Sequence, residues 1–250
     1  MNEPITSYLM CATPRTGTHL LCFALTDLGI AGHPEEYLID FDHPTWTFWE
    51  KGPVAQANGA TTREEFLDVV MRVGTSDNGV FGVKVMHEHL DKIVSNFREM
   101  PQYAGQDRAA IFHAVFPNLH VIDVKRRDRL RQAISYARLV QTGVFVVTDE
   151  WQPDSIGEPT YDFEMIKALM GVIEVGERGW ADFYNELGVT PYEVVYEDLL
   201  TTDGMDRTLR GIVRHLRIEP SFDTPPAPRT IVQADATTEQ WVARYLSDDR

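Results

Sequence analysis

The change of hydrophobic period between Ser7 and Leu28 constrains this chain more than any other feature. Tyr8, Leu9, Met10 and Cys11 form a short apolar run of the kind buried in a parallel sheet. Pro14-Arg15-Thr16-Gly17-Thr18 then interrupts it with turn chemistry. From Leu20 the period becomes helical, because Leu20, Leu21, Ala24, Leu25 and Leu28 fall on one face. The loop therefore sits between a strand end and a helix N-terminus, where unpaired amides and the positive end of the helix dipole favour an anion. Gly17 lets the backbone come close, Arg15 adds charge, and the Thr16 and Thr18 hydroxyls add donors. The plain alternative is a structural turn of the sort common in α/β proteins. The loop is not a Walker A sequence, since GxxxxGK[ST] needs a second Gly and a Lys where Thr18 and His19 stand. That weakens an ATPase reading and leaves a phosphate or sulfate reading intact.

At 250 residues and 43% apolar, the chain suits a single α/β domain over 1–250. A net charge of −15 opposes approach to a polyanion, so nucleic acid and anionic membrane surfaces are not expected partners, and any phosphate site has to be local. No apolar run approaches the roughly 18 to 20 residues of a membrane span. Met1-Asn2-Glu3-Pro4 lacks the basic and apolar parts of a signal peptide. Cys11 and Cys22 are expected to pack in the core of a protein kept in a reducing cytoplasm. No zinc-type spacing occurs, and His87-Glu88-His89 is its nearest approach, so no metal is expected.

Along the chain, Gly29 to Pro34 ends the first helix and leads into Glu35-Glu36. Adjacent carboxylates are usually solvated surface; placed back near the anion loop, one of them can act as a general base. Asp40 to Ala60 carries Trp46, Phe48 and Trp49 without periodicity and reads as either a lid or an edge plug. Thr62 to Val73 reads as a helix capped by Thr61 or Thr62, with Glu64 and Glu65 in its first turn. Gly79 to Met86 reads as a strand containing Lys84, which is costly unless its ammonium meets an anion or the strand lies at an edge. A third strand over Asn118 to Val124 runs into Lys125–Arg138, which holds six basic residues in fourteen at a strand end, where α/β sheets bind ligands. Gln141 to Thr160 reads as a second long loop, and Tyr161 to Leu187 as one helix or as two broken near Gly176 or Gly179. Tyr192 to Tyr196 is a fourth strand, with helices expected over Asp206–Leu216 and Glu239–Leu246.

Five blocks, TPRTGTHLL, AGHPEEYL, GVFGVKVM, KRRDRLRQAISYARLVQTG and QADATTEQWVARY, occur in this order. Together they resemble the PAPS-dependent sulfotransferases, and in particular the bacterial trehalose 2-sulfotransferase family. The resemblance implies a P-loop-like sulfotransferase fold: a central, mostly parallel sheet flanked by helices. It implies PAPS as sulfuryl donor, a small hydroxyl acceptor such as trehalose or a glycolipid, and a homodimer. By position, Arg15, Thr16, Gly17, Thr18 and His19 match the loop that holds the 5′-phosphosulfate. Ser135 matches the 3′-phosphate site, together with Arg127 eight residues before it or Arg126 nine before. Glu36 matches the general base, and Lys84 falls on the block whose lysine lies near the transferred group. Where the pattern has a basic residue just before QAD, this chain has Val232, with Arg229 three positions earlier. Two other functions compete: a P-loop-like small-molecule kinase, and a non-catalytic nucleotide-binding module.

Overall fold

In a computed structural model, residues 4–40, 62–148, 157–201, 203–231 and 235–249 are described. The aromatic segment with Trp46, Phe48 and Trp49, the Trp151 part of the second long loop, and Val232 lie outside them. Strands β1 (Thr6–Ala12), β2 (Val80–Met86), β3 (Leu119–Lys125) and β4 (Tyr192–Val195) form one sheet in the order β2-β1-β3-β4. Every pairing is parallel, with Met10 opposite both Lys84 and Ile122. The helices are α1 (Thr18–Leu28), α2 (Arg63–Val73), α3 (His87–Arg98), α4 (Arg108–Val115), α5 (Arg129–Thr142), α6 (Phe163–Leu187), α7 (Tyr196–Leu199), α8 (Gly204–His215) and α9 (Ala236–Asp248).

Successive residues of a strand face opposite sides of the sheet, and β1 is buried on both. Leu9 and Cys11 join the apolar cluster built with Phe66, Phe97, Phe112 and Phe183 from α2, α3, α4 and α6. Tyr8, Met10 and Ala12 join the cluster on the other face, with Leu21 and Leu25 of α1 and Leu209 and Ile212 of α8. A third cluster packs Ala133 and Ala137 of α5 against Ile173 of α6 and Trp241 of α9. The expected cap of α2 is Thr62. The Glu65 amide donates to its hydroxyl at 3.2 Å, and the Thr62 amide donates to the Glu65 carboxylate at 3.3 Å.

The break considered near Gly176 or Gly179 does not occur, and α6 runs unbroken. Both glycines serve close packing instead. A Cβ on Gly179 would stand 1.9 Å from His87 Nε2, and one on Gly176 would stand 2.7 Å from Thr13 Cγ2. Their small size lets α6 press against the C-terminal ends of β1 and β2, where the Trp180 indole donates to the Ala12 carbonyl at 2.8 Å. Among the described residues no helix is long and apolar enough to cross a membrane.

Candidate active site

The loop from Thr13 to Gly17 leaves the C-terminal end of β1 and twice enters the left-handed region, at Arg15 (φ 70°) and Gly17 (φ 80°). For a residue with a Cβ this costs about 1–2 kcal/mol, so other contacts have to hold Arg15 there. Gln132 of α5 supplies them. Fully buried, it donates from Nε2 to Thr13 Oγ1 at 2.9 Å and to the Pro14 carbonyl at 2.8 Å. The Thr16 hydroxyl donates to the Thr13 carbonyl at 3.1 Å, so it closes the loop and does not reach outward. Gly17 is the N-cap of α1 and brings no side-chain acceptor to the orphan amides of the first turn.

A Cβ on Gly17 would lie 2.3 Å from Tyr196 Cδ2. Gly17→Ala is therefore expected to lower the melting temperature by about 2–8 °C, from about 1–2 kcal/mol of backbone strain at about 2–4 °C per kcal/mol. It is also expected to abolish the thermal shift produced by adenosine 3′,5′-bisphosphate. A variant with the parent's shift would show that the close packing of Tyr196 on Gly17 is not required.

Arg15 reaches across to α5, where Nε donates to Ser135 Oγ at 2.9 Å, and to the segment after that helix, where an Nη donates to the Phe145 carbonyl at 2.5 Å. Arg126, at the end of β3, donates from Nη1 to the Arg15 carbonyl at 3.3 Å, and its guanidinium lies 4.7 Å from the centre of the Tyr196 ring. Its Nε is buried with no hydrogen-bond partner among the described residues. Burial, and then the charge of Arg126, bring the Arg15 guanidinium down to about 10. Burial also lowers Arg126. Two neighbouring, largely buried cations, one of which depresses the other, favour an anion at this point of a protein of net charge −15.

These groups open onto a cavity of about 930 Å³, lined also by Thr18, His19, Glu36, Glu88, Tyr136, Arg138, Tyr196 and the apolar residues Leu199, Met205, Pro226 and Ile231. Arg138 is held by Asp235 at 2.8 Å and by Thr238 Oγ1 at 2.8 Å, which ties α9 to the cavity wall.

The two candidates for the 3′-phosphate part company here. Arg126 and Ser135 line the cavity. Arg127 lies outside it, with its amide on Glu197 at 3.0 Å and its guanidinium on Asp198 at 3.1 Å. Arg229, considered as a substitute for a basic residue at Val232, forms an ion pair with Asp27 of α1 and is not among the cavity-lining residues.

The acidic wall comes from beside β2. Glu35 bridges to Val83 and accepts the Lys84 amide at 2.9 Å, so the chain after α1 runs along the outer edge of the sheet. β2 ends the hydrogen-bonded strand order, yet Lys84 does not face solvent: it is 1% exposed, and its Nζ lies 3.4 Å from Glu36 Oε2. Burial alone would lower its pKa, but Glu36, Cys22 and Glu35 outweigh it and raise the ammonium above its ordinary value. Lys84 is not a lining residue; Glu36 stands between it and the cavity. Lys84, expected near the transferred group, is placed behind the Glu36 carboxylate.

Burial, then the charges of Lys84 and Arg15, bring His19 down to about 3, so it faces the cavity as a neutral imidazole at pH 7. Its unfolded value is higher, so the unfolded chain binds the extra proton between those values. Its contribution to stability is complete above about pH 6.5 and falls as pH drops toward 3. His19→Gln is expected to flatten the loss of unfolding free energy between pH 6.5 and 4.5 relative to the parent, as read by urea denaturation. Identical slopes would remove His19 as the source.

Gln132, Tyr196, Glu88 and Tyr136 belong to this site and carry no motif signal of their own. Gln132 could have been noticed as a polar residue in the buried stripe of α5, and Tyr196 as the residue leaving a strand end.

The family model described as Stf0 sulphotransferase matches residues 7–248. Trehalose 2-sulfotransferase of Mycolicibacterium smegmatis is 25% identical, and that of Mycobacterium tuberculosis 27%, each alignment covering 99% of this chain and 97% of the relative. Among solved structures, a sulfotransferase from Alicyclobacillus acidocaldarius aligns at 17% identity and TM-score 0.48, over 99% of this chain and 93% of that one. The sulfotransferase domain from the Synechococcus PCC 7002 olefin synthase aligns at 16% and 0.47, over 89% and 76%.

Proposed function

The chain belongs to the Stf0 sulphotransferase family, and from that we propose that it moves a sulfuryl group from PAPS to a hydroxyl of a neutral carbohydrate, trehalose being the first acceptor to try. The single observation that carries the reading is the convergence of Arg15, Arg126 and Ser135 on one cavity that also holds Glu36. The residues fit a doubly phosphorylated nucleotide. Arg126 Nε, without a hydrogen-bond partner among the described residues, offers a buried donor, and the bare Gly17 lets the Tyr196 ring pack directly against the loop. Bound there, PAPS supplies an activated sulfuryl group, whose S–O bond to the 5′-phosphate breaks as the bond to the acceptor oxygen forms, leaving the 3′,5′-bisphosphate.

In this reading the chain's own residues do four things. The Gly17, Thr18 and His19 amides with Arg15 hold the 5′ end and face the oxygen on which negative charge grows, each such donor being worth about 2.7–4 kcal/mol in comparable sites. Arg126 and Ser135 hold the 3′-phosphate. Tyr196, Leu199 and Met205 give the base an apolar wall. Glu36 takes the acceptor proton, and Lys84 behind it, 3.4 Å from Oε2, holds that carboxylate in place. By analogy with phosphoryl transfer, positioning and charge stabilisation do most of the work. The reading further takes the chain as one domain over 1–250, working as a cytoplasmic homodimer.

Incubation with ³⁵S-labelled PAPS and a panel of neutral sugars tests it. A labelled sulfate ester, formed without added Mg²⁺, is the expected result. Tight binding of the bisphosphate with no label passed to any hydroxyl would leave a nucleotide-binding module in place of an enzyme.

A further inference from the structure

A second carboxylate faces the cavity and is not used by the reaction as described. Glu88 is the second residue of α3, in its first turn, just beyond the C-terminal end of β2. Its Oε2 accepts a hydrogen bond from the Tyr136 hydroxyl at 3.2 Å, and its Oε1 lies 3.6 Å from His89 Nε2. All three side chains line the cavity that Glu36 lines. Tyr136 directly follows Ser135 on α5, so adjacent residues of one helix face the two sides of the cavity: Ser135 meets Arg15, and Tyr136 meets Glu88. Packing does not account for the placement of Glu88, whose side chain is 39% exposed and lines the cavity.

We propose that Glu88, steadied by Tyr136 and His89, accepts a hydrogen bond from a second, non-reacting hydroxyl of the acceptor. It thereby selects neutral polyols over single-hydroxyl alcohols and over acceptors that carry an acidic group. The inference rests on the sulfotransferase reading above. With Glu36 engaging the reacting hydroxyl, an acceptor bearing a second hydroxyl meets one carboxylate per hydroxyl. A phosphorylated or carboxylated acceptor meets two like charges instead. A carboxylate aimed at a substrate hydroxyl also rejects analogues that lack it, because the site group is then left unpaired.

The test is calorimetric titration of the protein–bisphosphate complex with trehalose, methyl glucoside and the monodeoxy analogue series of each, repeated on Glu88→Gln and Tyr136→Phe. In the parent, one monodeoxy analogue is expected to bind about 10- to 100-fold more weakly than its sugar, a typical cost for one charged hydrogen bond. In Glu88→Gln the same analogue is expected to bind within about 3-fold of the sugar, as non-additivity of contacting groups requires. Tyr136→Phe moves the ratio in the same direction and by less. Affinity for the bisphosphate stays at the parent value in both variants. Undiminished discrimination in Glu88→Gln would overturn the proposal while leaving the sulfotransferase reading standing. Failure of the parent complex to bind any sugar, with no transfer from labelled PAPS, would overturn both.

Discussion

Glu36→Gln is expected to lower kcat for sulfuryl transfer by about 10²–10⁴-fold while leaving the affinity for the 3′,5′-bisphosphate within about 3-fold of the parent. The two readouts separate because Glu36 is on the acidic wall, where its side chain pairs with Lys84, whereas Arg15, Arg126 and Ser135 meet one another on the other side. Gln keeps the shape and loses the ability to take a proton. It also leaves the Lys84 ammonium, 1% exposed, with a neutral partner at a distance that was 3.4 Å from a carboxylate. A fall in thermal stability is therefore expected alongside the fall in rate, since breaking one half of a buried pair typically costs about 3–5 kcal/mol. Solvent reaches Glu36, whose side chain is 24% exposed, and places this case below that range. Glu36→Asp keeps the charge and restores stability. Its rate separates the proton-transfer role from a structural one, because a purely structural Glu36 would recover rate and stability together. Turnover by Glu36→Gln equal to the parent would remove Glu36 from the chemistry.

Arg126→Ala is expected to erase most of the preference for a 3′-phosphorylated nucleotide over adenosine 5′-phosphosulfate. Truncating one partner of a buried charged hydrogen-bond pair costs about 2–5 kcal/mol, or about 30-fold to several thousandfold in Kd. Arg127→Ala, on a side chain that is 63% exposed and paired with Asp198, is expected to stay within about 3-fold. In the free protein the sign reverses. Arg126 is lowered by burial and its Nε has no hydrogen-bond partner among the described residues, so its removal relieves its repulsion of Arg15 and is expected to raise the melting temperature of the nucleotide-free protein or leave it unchanged. A site that binds more weakly but folds more stably is the signature of a cation kept for a ligand. Loss of preference in Arg127→Ala instead would reverse the assignment.

The opening strand, loop and helix were legible because the period change at Leu20 and the turn residues before it are local facts about neighbouring residues. The choice between Arg126 and Arg127 was not legible. Consecutive residues leaving a strand end point to opposite sides, and only the fold decides which side faces Arg15. The sequence marked Lys84 as unusual and Glu36 as a candidate base. Their ion pair depends on the chain running along the edge of β2, a tertiary fact with no trace in spacing. Gly176 and Gly179 read as helix breakers because propensity says so, but tertiary packing against His87 and Thr13 overrides it. Gln132 looked like one more polar helix residue; its importance lies in two hydrogen bonds to a loop more than a hundred positions earlier.

The central claim is that the turn after β1 and the entrance of α5 clasp the two phosphorylated ends of a single nucleotide. Calorimetric titration with adenosine 3′,5′-bisphosphate, AMP and ATP with Mg²⁺ tests it most directly. One bisphosphate per chain is expected, bound at least about 100-fold more tightly than AMP, as one buried charged contact allows, and indifferent to Mg²⁺. Equal affinities for bisphosphate and AMP, or tighter binding of ATP with Mg²⁺, would contradict it.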